Sequence, residues 1–165
     1  QDDALWGTLE AERLVVTQGL DNPLGQEITR FELEAEIVGL LAFDATPRAA
    51  AEAFRASQGT LAIKRLLLIW GGVRIEAEGA LELDDSLGPR GQLTAKVQGL
   101  SDGIARFEAA GALPRNNATV LRLAAGLVTK PNGDGVAEAQ LPLTFDGGRV
   151  FLGPVSVLRL PALFP

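Results

Sequence analysis

The sequence predicts an α+β fold: a curved, twisted, mostly antiparallel β-sheet built from a repeated strand-rich unit, with two to three helices packed on one face. Three observations lead to this prediction. Several segments alternate between apolar and polar residues, Gly- and Asp-rich turns separate them, and Ala- and Leu-rich stretches show helical spacing. The 165 residues suffice for a sizeable core, so we expect a single domain over residues 1–165.

The clearest strands have one apolar and one polar face. Between residues 31 and 37, four apolar residues alternate with three glutamates, as in a strand buried on one side. Residues 73–83 and 92–98 repeat this alternation, and residues 84–91 between them are rich in turn formers. Strands joined by such short turns form antiparallel pairs.

The apolar segment after residue 59 changes phase half-way. The apolar side chains before Lys64 have odd numbers, whereas the series Leu66, Leu68 and Trp70 has even numbers. This change predicts a β-bulge near Lys64 and Arg65, or a strand covered on both faces.

Three helices are predicted from start and stop signals. Thr46 caps a first helix that begins at Pro47 and ends near Gly59, and Ser101-Asp102 opens a second. In the second helix Ile104, Phe107 and Ala110 share a face. Asn116 or Asn117 caps a third helix, which the turn at 131–135 ends. This third helix carries a broad apolar stripe, formed by Val120, Leu121, Leu123, Ala124, Leu127 and Val128.

The stretch AQLPLTFDGGRVFLGPV at 139–155 predicts the closing hairpin. Asp146-Gly147 between alternating segments is a strong hairpin signal, and no phosphate-binding Gly motif is present. Gly153-Pro154 then ends or bends the strand. The predicted order of elements is ββ-α-βββ-αα-ββ.

Two pairs of segments resemble each other. Residues 7–19 and 59–71 match at six positions, and LEAEIVGL at 33–40 resembles LTAKVQGL at 93–100. We interpret these as repeat units at approximately 7–58 and 59–112, followed by a closing helix and hairpin at 113–165. The alternative is chance similarity between alternating strands.

The residues that the chain lacks exclude several functions. It has no His and no Cys, so Ser-His and Cys-His catalytic systems and the usual zinc sites are impossible. Its net charge of −6 and its scattered basic residues argue against nucleic-acid partners. The longest apolar run, 66–70, is far below the roughly 20 residues of a membrane span. We expect no catalytic residues, no cofactor, no metal and no membrane span.

Two groups of polar residues could form a site or simply be solvated surface. Outward glutamates could pair for glycoside hydrolysis, but their alternation with apolar residues favours a solvated sheet face; they are Glu32, Glu34, Glu36, Glu76, Glu78 and Glu82. Loop oxygens could hold Ca²⁺, but without EF-hand spacing ordinary turns are favoured; they are Asp84, Asp85, Asn132, Asp134 and Asp146.

The apolar residues of the chain could form either a well-packed, bent core or a ligand cavity. Gly39, Gly79 and Gly99 lie on inner strand faces, where small residues permit bends or leave space. The apolar segment 158–165 either packs down or binds a partner. Candidate ligand-lining residues are Leu68, Trp70, Ile75, Leu81, Leu93, Val97, Phe107, Leu123, Leu127, Leu143 and Phe145.

The motifs at 70–75, 79–84, 89–94, 141–155 and 160–164 resemble the C-terminal half of an alphaproteobacterial domain-of-unknown-function family 2125. The resemblance is good over residues 59–165 and loose before them. It implies an envelope protein facing the periplasm, with a signal or anchor upstream of the visible chain. It also implies a likeness in style to envelope proteins of the AsmA type, which are associated with lipid traffic.

These observations lead to a functional expectation. We expect a non-enzymatic periplasmic or envelope domain that binds or transports a lipid-like apolar ligand. One alternative is a structural or protein-interaction module of an envelope assembly, with an envelope protein as partner. The other is a carboxylate-based hydrolase.

Overall fold

The computed structural model describes residues 4–16, 23–39 and 46–164. These residues form one nine-stranded sheet and three helices. The strands are β1 (Ala4–Val15), β2 (Glu27–Val38), β3 (Thr60–Trp70), β4 (Val73–Leu83), β5 (Pro89–Gln98), β6 (Thr129–Pro131), β7 (Ala137–Asp146), β8 (Arg149–Leu152) and β9 (Val155–Arg159). The helices are α1 (Pro47–Ala56), α2 (Leu100–Ala109) and α3 (Arg115–Val128).

Neighbouring strands run antiparallel in the order β1-β2-β3-β4-β5-β7-β8-β9, and the short β6 pairs with β7. The coarse fold class, a mostly antiparallel sheet with helices in an α+β fold, is confirmed. The predicted order of elements is correct as far as α3. Two short strands were not predicted: β6, which has only three residues, and β9, which follows the bend at Gly153-Pro154.

The predicted bulge in β3 is confirmed. The pairing of β3 with β4 shifts after Ile63, and the next matched residue of β3 is Leu66. The two intervening residues, Lys64 and Arg65, are exposed. Ile63 pairs with Gly79 of β4, and after the shift Trp70 pairs with Val73, which is on the same face of β4 as Gly79. The even-numbered apolar residues up to Trp70 therefore lie on the same sheet face as Ile63.

One face of the sheet carries the core, and we call it the apolar face. Leu93, Ala95 and Val97 of β5 are almost completely buried there. They form a cluster with Ile104 of α2 and Leu121 of α3. The opposite face carries mainly Glu, Arg, Lys, Gln and Thr, together with Leu67 and Ile69 of β3, and we call it the polar face.

The predicted start of α1 is confirmed, whereas its end differs in detail. The Thr46 hydroxyl accepts a hydrogen bond from the amide of Ala49, and Pro47 is the first helical residue. The left-handed residue after the helix is Gln58, with φ of 54°, and not Gly59. Gly59 is needed for space, because a Cβ there would lie 2.3 Å from the ring of Phe54.

The predicted cap of α3 is wrong. Helix α3 begins at Arg115 behind Pro114, with no side-chain cap, so both asparagines lie in its first turn. Proline has a fixed φ and no N–H, which suits the residue where a helix starts. The helix ends at Val128, where β6 follows before the predicted turn. Helix α2 begins at Leu100, one residue before its predicted start, after Gly99 with φ of 74°.

The closing hairpin is confirmed. Asp146 pairs with Arg149, and the two residues between them, Gly147 and Gly148, have φ of 55° and 71°. Two consecutive positive φ values define the tight turn that matches the twist of a hairpin. Strand β8 ends before Gly153, as predicted, and the chain then returns as β9.

The internal repeat stays a prediction. Its first pair of similar segments lies on β1 and β3, although residues 17–19 fall outside the described residues. The second pair lies mainly on β2 and β5, with residue 40 outside the described residues, so the second unit would contain one additional strand, β4. None of the helices in the described ranges is long and apolar enough to cross a membrane.

Candidate functional site

A large apolar pocket lies at one end of the apolar face, between the sheet, α1 and the segment 160–164. Its volume is about 660 Å³. Its lining consists of Ile37, Pro47, Ala50, Ala51, Phe54, Leu61, Leu81, Glu82, Leu83, Pro89, Phe145, Leu160, Leu163 and Phe164. The volume falls within the range of about 300–1,000 Å³ that is typical of small-molecule sites.

Helix α1 forms one wall because its apolar residues share one side. Ala50, Ala51 and Phe54 are spaced to face the sheet together, and Ala51 is buried. Gly39 and Gly59 let the backbone pass beneath the Phe54 ring. A Cβ on Gly39, whose φ is 138°, would lie 2.7 Å from the Cα of Gly59.

The segment 160–164 forms the opposite wall. The amide of Leu160 donates a hydrogen bond of 2.8 Å to the carbonyl oxygen of Gly148, next to the hairpin turn. The Nη1 of Arg48 on α1 donates to the carbonyl oxygen of Phe164 at 3.1 Å. The same guanidinium contacts the carboxylate of Glu52 at 3.2 Å. The rim of the pocket therefore carries a guanidinium and a carboxylate, whereas its walls are apolar apart from Glu82.

A smaller apolar groove continues from this pocket to the edge of the sheet. It shares Ile37 and Leu61 with the pocket and reaches Leu5 and Leu9 of β1. Its volume is about 270 Å³. Leu9 is 57% exposed, so this end of the apolar face lies open to solvent.

A second, smaller cavity lies beneath α2 and α3. It has a volume of about 120 Å³ and a wholly apolar lining that includes Ile75, Val97, Phe107 and Leu143. This volume is well below the usual lower limit of about 300 Å³ for a ligand site. The cavity is best described as a packing gap between helices and sheet.

The predicted lining residues are divided between these places. Leu81 and Phe145 line the large pocket, and Ile75, Val97, Phe107 and Leu143 line the small cavity. Leu93 is a core residue with 1% of its surface exposed.

The remaining predicted lining residues lie outside both. Leu68 and Trp70 of β3 are half-buried, and the Trp70 indole donates to the carbonyl oxygen of Gly25 at 2.9 Å. Leu123 and Leu127 of α3 are 67% and 84% exposed. The residues of the α1 wall were not predicted as lining residues, although the spacing of Ala50, Ala51 and Phe54 indicates that they share one side of the helix.

Two of the candidate glutamates on the polar face form ion pairs with a neighbouring strand. Lys64 contacts Glu36 at 3.4 Å, and Arg65 contacts Glu32 at 3.6 Å, both across β2 and β3. A hydrogen bond from Arg30 to Glu32, together with the charge of Glu32, raises the pKa of Arg30 above its ordinary value. No charged side chain is buried in the described part of the chain.

Two of the five candidate Ca²⁺ ligands, Asp84 and Asn132, use their side-chain oxygens to stabilise their own turns. One oxygen of Asp84 accepts from the amides of Ser86 and Gly88, and the side-chain oxygen of Asn132 accepts from two amides in its own turn. The residues that the structure describes contain no group of three His, Cys, Asp or Glu side chains placed to hold a metal.

The comparison with known families agrees with the resemblance seen in the sequence motifs and covers a longer part of the chain. The family model described as "Uncharacterized protein conserved in bacteria (DUF2125)" matches residues 2–161. The match thus includes residues 2–58, where the motif resemblance is only loose. No curated protein and no solved structure matches this sequence. Since the family model covers far more than half of the residues, the chain belongs to domain-of-unknown-function family 2125.

Proposed function

We propose that this chain is a non-enzymatic envelope domain that binds a lipid-like apolar ligand in the pocket between α1 and the segment 160–164. The observation that carries the proposal is the pocket itself. It has about 660 Å³, and Glu82 is the one charged residue in a lining that is otherwise apolar. A site of this kind binds by removing apolar surface from water, since it lacks converging polar groups that would orient a reaction.

The shape of the apolar surface favours an extended ligand. Because the pocket and the edge groove share Ile37 and Leu61, a chain longer than the pocket can continue along the sheet towards Leu9. Each buried methylene contributes about 0.8 kcal/mol. An acyl chain of about ten buried methylenes therefore contributes about 8 kcal/mol, which is of the same order as the association cost of about 4–15 kcal/mol.

The finer features belong to the same proposal. A curved sheet built from a repeated unit, with its helices on one face, is the architecture that we infer for holding such a chain. A periplasmic location, an alphaproteobacterial source and a likeness to AsmA-type envelope proteins are consistent with a role in lipid traffic. They come from the motif resemblance and stay predictions.

A matched pair of substitutions on α1 tests the proposal. Ala50 lines the pocket, whereas the neighbouring Ala49 is exposed and lies outside its lining. We expect Ala50→Trp to fill the pocket and to weaken binding of a fluorescent fatty acid by about tenfold or more, equivalent to about 1.4 kcal/mol. Ala49→Trp should bind as the unaltered chain does.

The measurement is a fluorescence titration of the delipidated chain, with circular dichroism to check that each variant is folded. Saturable binding that Ala50→Trp weakens and Ala49→Trp preserves supports the proposal. If the folded, unaltered chain takes up no fatty acid, or if both variants bind equally well, the pocket is not the ligand site.

One alternative has an observation in its favour. A protein-interaction role is supported by the long exposed strand β1. The carboxylate-based hydrolase has no comparable support. Glu82 is the single carboxylate in the pocket lining, and the other outward glutamates of β2 and β4 are on the polar face, several of them in ion pairs with basic neighbours.

A further inference from the structure

Strand β1 is an open edge of the sheet. Among the described strands, β2 is its only hydrogen-bonded neighbour, so its other side presents backbone N–H and C=O groups without strand partners. The strand is twelve residues long and contains no Pro and no Lys, which are common protections of sheet edges. The edge strand β9 at the other end has five residues and stands between Pro154 and Pro161.

The exposed side chains of β1 are also unusually apolar. Trp6 and Leu9 are each 57% exposed, and Leu5 is 48% exposed. The regular part of the strand runs from Ala4 to Glu12, because the next residue, Arg13, has φ of 55°. A regular open strand with apolar side chains is a template for pairing with another strand.

We propose that β1 pairs with β1 of a second copy of this chain, antiparallel and about a two-fold axis through Thr8. In this register Ala4 lies opposite Glu12 of the second copy, so the whole regular segment pairs with itself. The axis is normal to the sheet, and the apolar faces of both copies therefore lie on the same side. In such a two-fold contact each copy uses the same strand, so neither copy has a second β1 edge free, and the contact gives a closed dimer and not a fibre.

The side chains of β1 are complementary in this register. On the apolar face Leu5 lies opposite Ala11 and Leu9 opposite Gly7, so each large side chain meets a small one. On the polar face Trp6 lies opposite Glu10, whose methylenes can pack against the indole. A register centred on Glu10 would instead place two like charges opposite each other, which is destabilising.

The backbone supplies the remaining contacts. Nine antiparallel residue pairs exchange about eight to ten hydrogen bonds, since hydrogen-bonded and non-hydrogen-bonded pairs alternate. The paired segment is about 30 Å long, at roughly 3.3 Å per residue. The inference concerns the edge of the sheet and stands whether or not the pocket binds a lipid.

Cysteine substitution tests both the pairing and its register. The chain has no Cys, so a single introduced thiol can form a disulfide only between copies. Directly opposite residues have Cα atoms about 4.5–5.5 Å apart, within the disulfide range of about 4.4–6.8 Å. We expect Thr8→Cys to give a covalent dimer on mild oxidation, in which two thiols lose two electrons and two protons to the oxidant.

Glu10→Cys is the matched control on the same face. In the proposed register the two residues at position 10 are four positions apart along the strands, or about 13 Å, and should not cross-link. Sedimentation of the unaltered chain should show a dimer that Thr8→Lys dissociates, because two lysines would meet at the axis. A monomer at every concentration, or equal cross-linking by both cysteine variants, would overturn the inference.

Discussion

Gly79 of β4 and Gly91 of β5 lie in the central pair of strands, and both have positive φ, 151° and 144°. A Cβ on Gly79 would lie 2.5 Å from the carbonyl oxygen of Gln92, and one on Gly91 would lie 2.4 Å from that of Ala80. The two strands therefore approach each other where a side chain has no room. The sequence indicated that Gly79 was a small inner-face residue, but the close backbone contact depends on β5 and could not be predicted.

Gly79→Ala should destabilise the fold by about 1–3 kcal/mol, because it forces a strained conformation and a backbone clash at once. Gly7→Ala is the control, since a Cβ on this β1 glycine has nothing within 4 Å. Urea unfolding followed by circular dichroism measures both. Equal stability of the two variants would mean that β4 and β5 can separate at this point without cost.

At the scale of elements, α1 shows how a local signal positions a wall of the pocket. The Thr46 hydroxyl accepts from the amide of Ala49 at 3.3 Å, and Pro47 fixes the first turn. Thr46→Ala should cost about 1 kcal/mol of stability, the usual effect of losing an N-cap. Thr119→Ala is the control, because the Thr119 hydroxyl donates to the carbonyl oxygen of Arg115 within α3 and caps nothing.

Urea unfolding again provides the measurement for this pair. Thr119→Ala should be neutral or slightly stabilising, since alanine is the better helix former. If Thr46→Ala were equally harmless, α1 would not depend on its cap.

Helix α3 is an element that the sequence predicts without showing which of its sides packs on the sheet. Its apolar stripe is too broad for one contact, and the residues that pack are Ala118, Leu121 and Ala125, while Leu123 and Leu127 are exposed. Two alanines beside one leucine allow the helix to approach the sheet closely. The sequence predicts the helix, but the choice between its two apolar sides depends on the sheet beneath it.

At the scale of the whole molecule, the burial of side chains decreases along the sheet from β5 to β1. Leu93, Ala95 and Val97 of β5 have at most 1% of their surface exposed, whereas most of β1 is exposed on both faces. We expect amides of β5 to exchange with solvent only through global unfolding. At low protein concentration, amides of β1 should exchange at least about a thousandfold faster, through local opening.

Hydrogen exchange resolved by mass spectrometry or NMR measures this gradient, with the β4 amides as an internal reference for the core. Uniform protection from β1 to β5 would contradict it.

The strands could be predicted individually from alternation, whereas the position of the pocket could not. Its walls come from α1 and from residues after β9, and no local pattern shows that these segments meet.

The hydrogen bond between Arg48 and Phe164 joins residues that are 116 positions apart. A ribosome makes the chain in one direction, so α1 is complete long before the opposite wall exists. Throughout that interval Ala50 and Phe54 lack the lining that segment 160–164 supplies. The pocket is therefore completed only after all nine described strands of the sheet have been made, and a chain cut short before residue 160 would display it as an open trough.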